Sequence, residues 1–358
     1  MRRISYAEAI NEAFHQVMQH DERVFVLGQG VNNPWYVGTT ANGLYARFGK
    51  DRVIDPPISE NGLNGVVIGA ALTGMRPIVL HPRLDFLLTG LEQLVNQAAN
   101  WSYVFAGQVP CPLVVRGIIN RGGEQGAQHS QALQALFMHV PGLKVVMPAT
   151  PYDAKGLLIA AVEDENPVVY IDDRWLYGQV GEVPEHRYRV PIGKAALLLQ
   201  GCDVTIVAVS YMVKLALEAA QLLAEQGIQA EVIDVRSLKP LDDDLICTSV
   251  HKTGRLVVAE AAWRTGGAAA EIAARVAELA FDSLKAPVQR VTLPDAPAPC
   301  SRSLEEAYYP TSGDIVAAVR RTMPGRRAHN GASRGPASTS DPGADTLQGD
   351  PDCDQARV

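Results

Sequence analysis

Cysteine is scarce in this sequence: five residues in 358, none of them in a Cys-x-x-Cys pair. An odd count without that spacing argues against a disulfide framework or a thiolate zinc site, and a reducing compartment is expected. No apolar run approaches the ~20 residues of a bilayer crossing, which excludes a membrane-spanning helix. Basic charge is in deficit, with 32 Lys and Arg against 39 Asp and Glu. A nucleic-acid binder normally shows the opposite balance. Behind Met1-Arg2-Arg3-Ile4-Ser5 there is no apolar core, so neither a secretory signal nor an organelle presequence is expected, and the location is taken as cytoplasmic.

What is present is a rhythm. Short β-branched runs such as Val24–Leu27, Pro77–Leu80, Pro112–Arg116, Leu143–Met147 and Pro167–Ile171 alternate with helical stretches. The helices are expected from Ser5 onward, over Gly65–Gly74, over Leu84–Phe105 and over Pro151–Glu163. A polar break near Trp175–Pro191 precedes a second such unit, with strands at Val204–Val209, Ala230–Val235, Arg255–Glu260 and Pro287–Val291. This order predicts an α/β protein of two doubly wound domains. From Pro324 the chain turns to Pro, Gly, Ser, Ala, Asp and Arg, which predicts a disordered tail.

Three clusters carry side chains suited to chemistry. In Asp55-Pro56-Pro57-Ile58-Ser59-Glu60-Asn61-Gly62 a carboxylate stands at a strand end before a small-residue helix, where open α/β sheets place ligands. Glu60 either hydrogen-bonds a cofactor ring nitrogen or caps its helix with Ser59. Gln128-His129-Ser130-Gln131 follows the glycine loop Arg121–Gly126. His129 is there either a general acid/base or part of a polar helix start. His81-Pro82-Arg83-Leu84-Asp85-Phe86 brings an imidazole, a guanidinium and an aromatic to another strand end. The alternative puts Phe86 in the core and Arg83 on the surface.

Taken in order, Arg52-Val53-Ile54-Asp55-x-Pro57-Ile58-Ser59-Glu60, Gly74-x-Arg76-Pro77 and Gly126-x-Gln128-His129-Ser130-Gln131 resemble one family. Pro141–Val146, Pro151-x-Asp153-Ala154-Lys155-Gly156, Leu238-x-Pro240-Leu241-Asp242 and Ser249-Val250-x-Lys252-Thr253-Gly254 continue the match. The sequence is similar to the beta subunits of thiamine-diphosphate-dependent 2-oxo acid dehydrogenases (pyruvate, branched-chain and acetoin types) of the transketolase-like superfamily. The resemblance implies a pyrimidine-binding domain over 1–180, a linker over 181–195, a transketolase C-terminal domain over 196–323 and the tail over 324–358.

The resemblance also implies roles. Glu60 is the carboxylate that binds the aminopyrimidine ring of thiamine diphosphate, Phe86 stacks on that ring, and Ile58 belongs to the same cofactor-binding segment. His129 handles the acyl group and its transfer to lipoyl-lysine. The backbone carbonyls of Leu113, Ala161, Val162, Asp164 and Asn166 align with a structural potassium site of some relatives. The family's diphosphate and Mg2+ motif, Gly-Asp-Gly followed downstream by Asn, has no counterpart here; Gly313-Asp314-Ile315 and Gly349-Asp350 do not match it. An alpha subunit is therefore expected to hold the magnesium, in an α2β2 heterotetramer, with a lipoyl acyltransferase as a further partner. The implied reaction is oxidative decarboxylation of a 2-oxo acid with acyl transfer to lipoyl-lysine. A carboligase without a lipoyl partner and a non-catalytic assembly subunit are the alternatives. Leu80-His81-Pro82-Arg83 stands where many relatives have an acidic residue, and Arg121-Gly122-Gly123-Glu124 replaces a more neutral loop. Both departures leave the identity of the 2-oxo acid open.

Overall fold

The computed structural model describes residues 2–32 and 34–324, so Cys353 and the expected tail beyond Pro324 lie outside the described residues. Its strands are β1 (Arg2–Ser5), β2 (Val24–Gly28), β3 (Val53–Ile54), β4 (Arg76–His81), β5 (Val114–Ile119), β6 (Lys144–Val146), β7 (Val168–Asp173) and β8 (Val180–Val183). They continue as β9 (Ala196–Leu199), β10 (Val204–Ala208), β11 (Ala230–Asp234), β12 (Ser237–Lys239), β13 (Leu256–Trp263) and β14 (Gln289–Leu293). Besides the antiparallel pair β1-β8, there are two larger sheets, one running β12-β6-β7-β5-β4-β2-β3 and the other β14-β13-β10-β11-β9. Each is parallel except for its antiparallel edge strand, β12 or β9. The central strands β5 and β7 are buried throughout, because helices cover both faces and leave no alternation for solvent.

Local chemistry sets several boundaries. Ser5 Oγ accepts from the Glu8 N–H at 3.2 Å while the Glu8 carboxylate accepts from the Ser5 N–H at 2.7 Å, and this capping box starts helix Tyr6–His20. Such a cap stabilises a helix by about 1 kcal/mol. The helix buries Tyr6, Ile10, Phe14 and Val17 at helical spacing, against helix Pro151–Glu163. That second helix starts at Thr150, whose side chain accepts from the Asp153 N–H at 3.1 Å, with proline in its first turn.

The structure departs from expectation in several places. The continuous helix expected over Leu84–Phe105 is broken into a turn at Leu84–Leu87, a 3-10 turn at Leu88–Gly90, a π turn at Gln93–Ala98 and helix Ala99–Val104. The cause is close approach: Asn64 Nδ2 donates to the Gly90 carbonyl at 3.1 Å, and a Cβ on Gly90 would stand 2.9 Å from the Glu60 carbonyl. The 181–195 stretch is not free chain. It begins in β8, which pairs with β1, and Lys155 Nζ holds the carbonyls of Pro184 and His186 at 2.6 and 3.0 Å. Finally, β12 lies in sequence between β11 and β13 of the second domain yet completes the first domain's sheet, its Lys239 Nζ bonding the carbonyls of Met138 and Val140 at 2.9 Å. Helices Asp243–Thr253 and Arg302–Tyr308 were not anticipated either.

Candidate active site

Glu60 is the first residue of helix Glu60–Leu72, directly beyond β3 at the carboxyl edge of the parallel sheet. Ser59 precedes it but makes no side-chain cap, so the helix-capping alternative for this pair is not what the chain adopts. Among the described residues no hydrogen bond engages the Glu60 carboxylate. Ile58 is 68% exposed and touches the core of neither domain. One turn on, Asn64 is fully buried and links the helix to two other segments, donating to Gly90 and accepting from His81 Nε2 at 2.9 Å.

His81, at the end of β4, is buried, and burial pushes its pKa down to about 4. It therefore donates from Nε2 to Asn64 as a neutral imidazole. A lowered folded-state pKa makes the unfolded chain bind the extra proton between about pH 6.5 and 4, so this stabilisation is present above that window and lost as pH falls through it. The fall amounts to about 3 kcal/mol over the window. In the variant His81→Gln the unfolding free energy, measured by denaturant titration at each pH, is expected to drop correspondingly less between pH 6.5 and 4.

Phe86 and His129 meet edge to face, their ring centroids 5.2 Å apart with planes at 86°. Neither ring is buried outright, so the alternative of Phe86 as plain core does not hold. The contact is held by Asp85, whose Oδ1 accepts from the Gln131 N–H at 3.1 Å and from Gln131 Nε2 at 2.9 Å. The second domain fixes the rest of the His129 segment. Arg121 pairs with Asp173 at 2.5 Å and reaches the Ala261 carbonyl at 2.6 Å. Gln134 donates to Glu260 Oε1 at 2.7 Å, and the Glu124 N–H donates to Glu305 at 3.1 Å. Glu260 is wholly buried, and burial raises its pKa against the opposing Ala269 N–H and Gln134 bonds. Gly126, at φ +74°, packs on the Cys300 thiol where no side chain fits.

A carboxylate without an internal partner, an aromatic face and an adjoining imidazole suit a protonatable heteroaromatic ring. The comparisons agree. Residues 2–179 match the transketolase pyrimidine-binding domain and residues 193–315 the transketolase C-terminal domain. The chain is 46% identical over 335 residues to the acetoin:2,6-dichlorophenolindophenol oxidoreductase subunit beta of Cupriavidus necator, covering 90% of this chain and 98% of that one. It is 42% identical over 318 residues to the pyruvate dehydrogenase E1 component subunit beta of Rickettsia felis, covering 89% and 98%. It also superposes on a split gene transketolase, an inactive beta4 tetramer, with a TM-score of 0.72, 28% identity and coverage of 89% and 98%. The chain belongs to the transketolase family, among the 2-oxo acid dehydrogenase beta subunits.

In this beta subunit the structure brings Phe86 and His129 together, and joins the Glu60 helix to the segment after Phe86 through the Asn64–Gly90 contact. The larger cavities open elsewhere: about 550 Å3 beside Met138, Lys239 and Gly267, and about 700 Å3 beside Tyr103 and Pro167. Of the five carbonyls matched to a potassium site, Val162 and Asp164 accept from Arg76 Nη1 at 3.0 and 3.1 Å, and Leu113 accepts from the Val168 N–H at 3.0 Å. Asn64, Asp85, Gln134 and Glu260 were missed in the sequence. Asn64 had one available signal, its place four residues after Glu60 on the same helix face.

Proposed function

We propose that this chain contributes half of the active site of an α2β2 2-oxo acid dehydrogenase, acting on a 2-oxo acid with acyl transfer to lipoyl-lysine of an acyltransferase. The observations that support it are the Phe86–His129 ring pair and, at a helix start, a Glu60 carboxylate that no hydrogen bond among the described residues engages. Thiamine diphosphate, when bound, supplies the electron sink for decarboxylation. Glu60 would bind the aminopyrimidine and could exchange a proton with it. Phe86 would offer that ring an apolar face. His129, steadied by Asp85 through Gln131, moves a proton to or from the acyl group during transfer. Among the described residues no group of three His, Cys, Asp or Glu converges as metal ligands. The magnesium and diphosphate are assigned to the alpha subunit.

The test is co-expression with an alpha subunit, followed by assay of 2-oxo acids with thiamine diphosphate, with and without a lipoylated acceptor domain. Turnover that requires the lipoyl acceptor supports the dehydrogenase reading. A lipoyl-independent product with a new carbon–carbon bond replaces it with a carboligase.

We also propose a structural potassium on the carbonyls of Leu113, Ala161, Val162, Asp164 and Asn166. Arg76 already occupies one side of two of them, so the ion would use the remaining lone pairs. The chain is expected to melt several degrees higher in potassium chloride than in choline chloride of equal ionic strength. Equal melting temperatures would assign the charge balance of this turn to Arg76 alone.

A further inference from the structure

Arg83 is the residue that sets up the turn carrying Phe86: its carbonyl accepts from the Phe86 N–H at 3.2 Å. Its side chain is half-buried at the carboxyl edge of the sheet, where ligands of open α/β folds bind. A guanidinium has five N–H donors. Among the described residues, the one hydrogen bond made by that of Arg83 runs from Nη1 to the carbonyl of its own neighbour Pro82, at 2.9 Å. Its Nε is buried without a partner. The nearby carboxylate, Asp85, is committed to Gln131 through Oδ1 and makes no ion pair with Arg83.

Two charges of opposite sign act on Arg83, the Asp85 carboxylate and the Arg174 guanidinium, and Arg174 has the larger effect. Arg174, just beyond β7, lies with its guanidinium 5.7 Å from the Tyr177 ring centroid and bonds the Tyr36 carbonyl. Burial first, and then the Arg174 charge, lower the pKa of Arg83. A half-buried guanidinium whose buried Nε has no acceptor, and to which no carboxylate is bonded, is an arrangement that an anion would relieve.

The chemistry of the reaction chooses which anion. The carboxylate that departs as carbon dioxide loses its charge as the bond breaks. A cation held on it would stabilise the reactant more than the transition state and slow the step. Arginine suits a carboxylate that keeps its charge throughout, and its planar fork matches one. We propose that Arg83, with Arg174 beside it, receives a second carboxylate on the substrate's side chain, so that the substrate is a dicarboxylic 2-oxo acid. This rests on the decarboxylase reading above.

The experiment uses the complex assembled with its alpha subunit, and compares 2-oxoglutarate and 2-oxoadipate with pyruvate and 2-oxobutyrate. Higher kcat/KM for the dicarboxylic acids is expected. Arg83→Gln should lower the ratio of dicarboxylic to monocarboxylic kcat/KM by about 30-fold, mainly through KM, with Arg83→Lys recovering part of it. The ratio is internal to each preparation, so partial misfolding cancels. Preference for monocarboxylic acids, or a ratio that Arg83→Gln leaves unmoved, overturns the proposal while leaving the decarboxylase reading intact. Loss of alpha-subunit co-purification with an unmoved ratio makes Arg83 an interface residue instead. If no 2-oxo acid is turned over, the decarboxylase reading has failed. Calorimetric titration of the complex with glutarate then decides the anion site: binding lost in Arg83→Gln supports it, and absent or equal binding overturns it.

Discussion

Glu60→Gln, in a complex reconstituted with the alpha subunit, is expected to lose thiamine-diphosphate-dependent turnover by about 10²- to 10⁴-fold. Glutamine keeps the size and the hydrogen-bonding reach of glutamate but cannot exchange a proton with the ring. The loss should fall on kcat rather than on folding. No hydrogen bond among the described residues uses this carboxylate, and Ser59 rather than Glu60 occupies the cap position. The thermal unfolding of the isolated beta chain should therefore stay within the narrow range of surface substitutions, about 0.5 kcal/mol. Stopped-flow or steady-state decarboxylation of the complex measures the first quantity, and calorimetric melting the second. Activity equal to that of the unaltered complex would mean that this subunit supports assembly alone.

Arg116→Met should cost the fold about 3–5 kcal/mol, lowering the melting temperature by on the order of 10 °C. Arg116 on β5 and Asp172 on β7 are both wholly buried and meet through two parallel bonds of 2.8 and 2.9 Å. The arginine also reaches Thr40 at 2.9 Å and the Tyr177 hydroxyl at 3.0 Å, while Tyr177 donates to Asp172 at 2.6 Å. Burial alone would lower the arginine's pKa, but the Asp172 carboxylate more than offsets it and holds the proton. Removing the guanidinium leaves an uncompensated carboxylate in a dry core, and that penalty dominates. Adding Asp172→Asn to Arg116→Met removes the stranded charge and should recover part of the loss in denaturant titration. A double variant no more stable than the single one would count against this account.

Legibility differed from residue to residue. The start of helix Tyr6–His20 was readable because Ser5 and Glu8 carry both halves of the capping box within four residues. Helix Pro151–Glu163 was readable end to end, since Thr150 and Pro151 supply cap and first turn locally. The order of motifs around Glu60 and His129 pointed to the family before any coordinates. By contrast, the helix expected from Leu84 to Phe105 has the right periodicity but the wrong outcome, because Gly90 is held by Asn64, 26 residues away. The sequence left Arg83 as either a site cation or a surface charge, and only the fold half-buries it.

The sequence by itself determined the two α/β units, most strand positions and the family, and it singled out the segments around Glu60, Phe86 and His129. Those depend on side-chain periodicity and on caps and motifs spanning a few residues, which local order carries. The tertiary structure alone decided that β12 closes the first domain's sheet, that Gln134 reaches Glu260 across 126 residues of chain, and that Arg121 reaches Ala261 across 140. A hydrogen bond between residues so far apart leaves no periodic trace in either segment. It exists because two packed domains bring a buried acceptor and a donor into the same dry space, where neither can remain unpaired without cost.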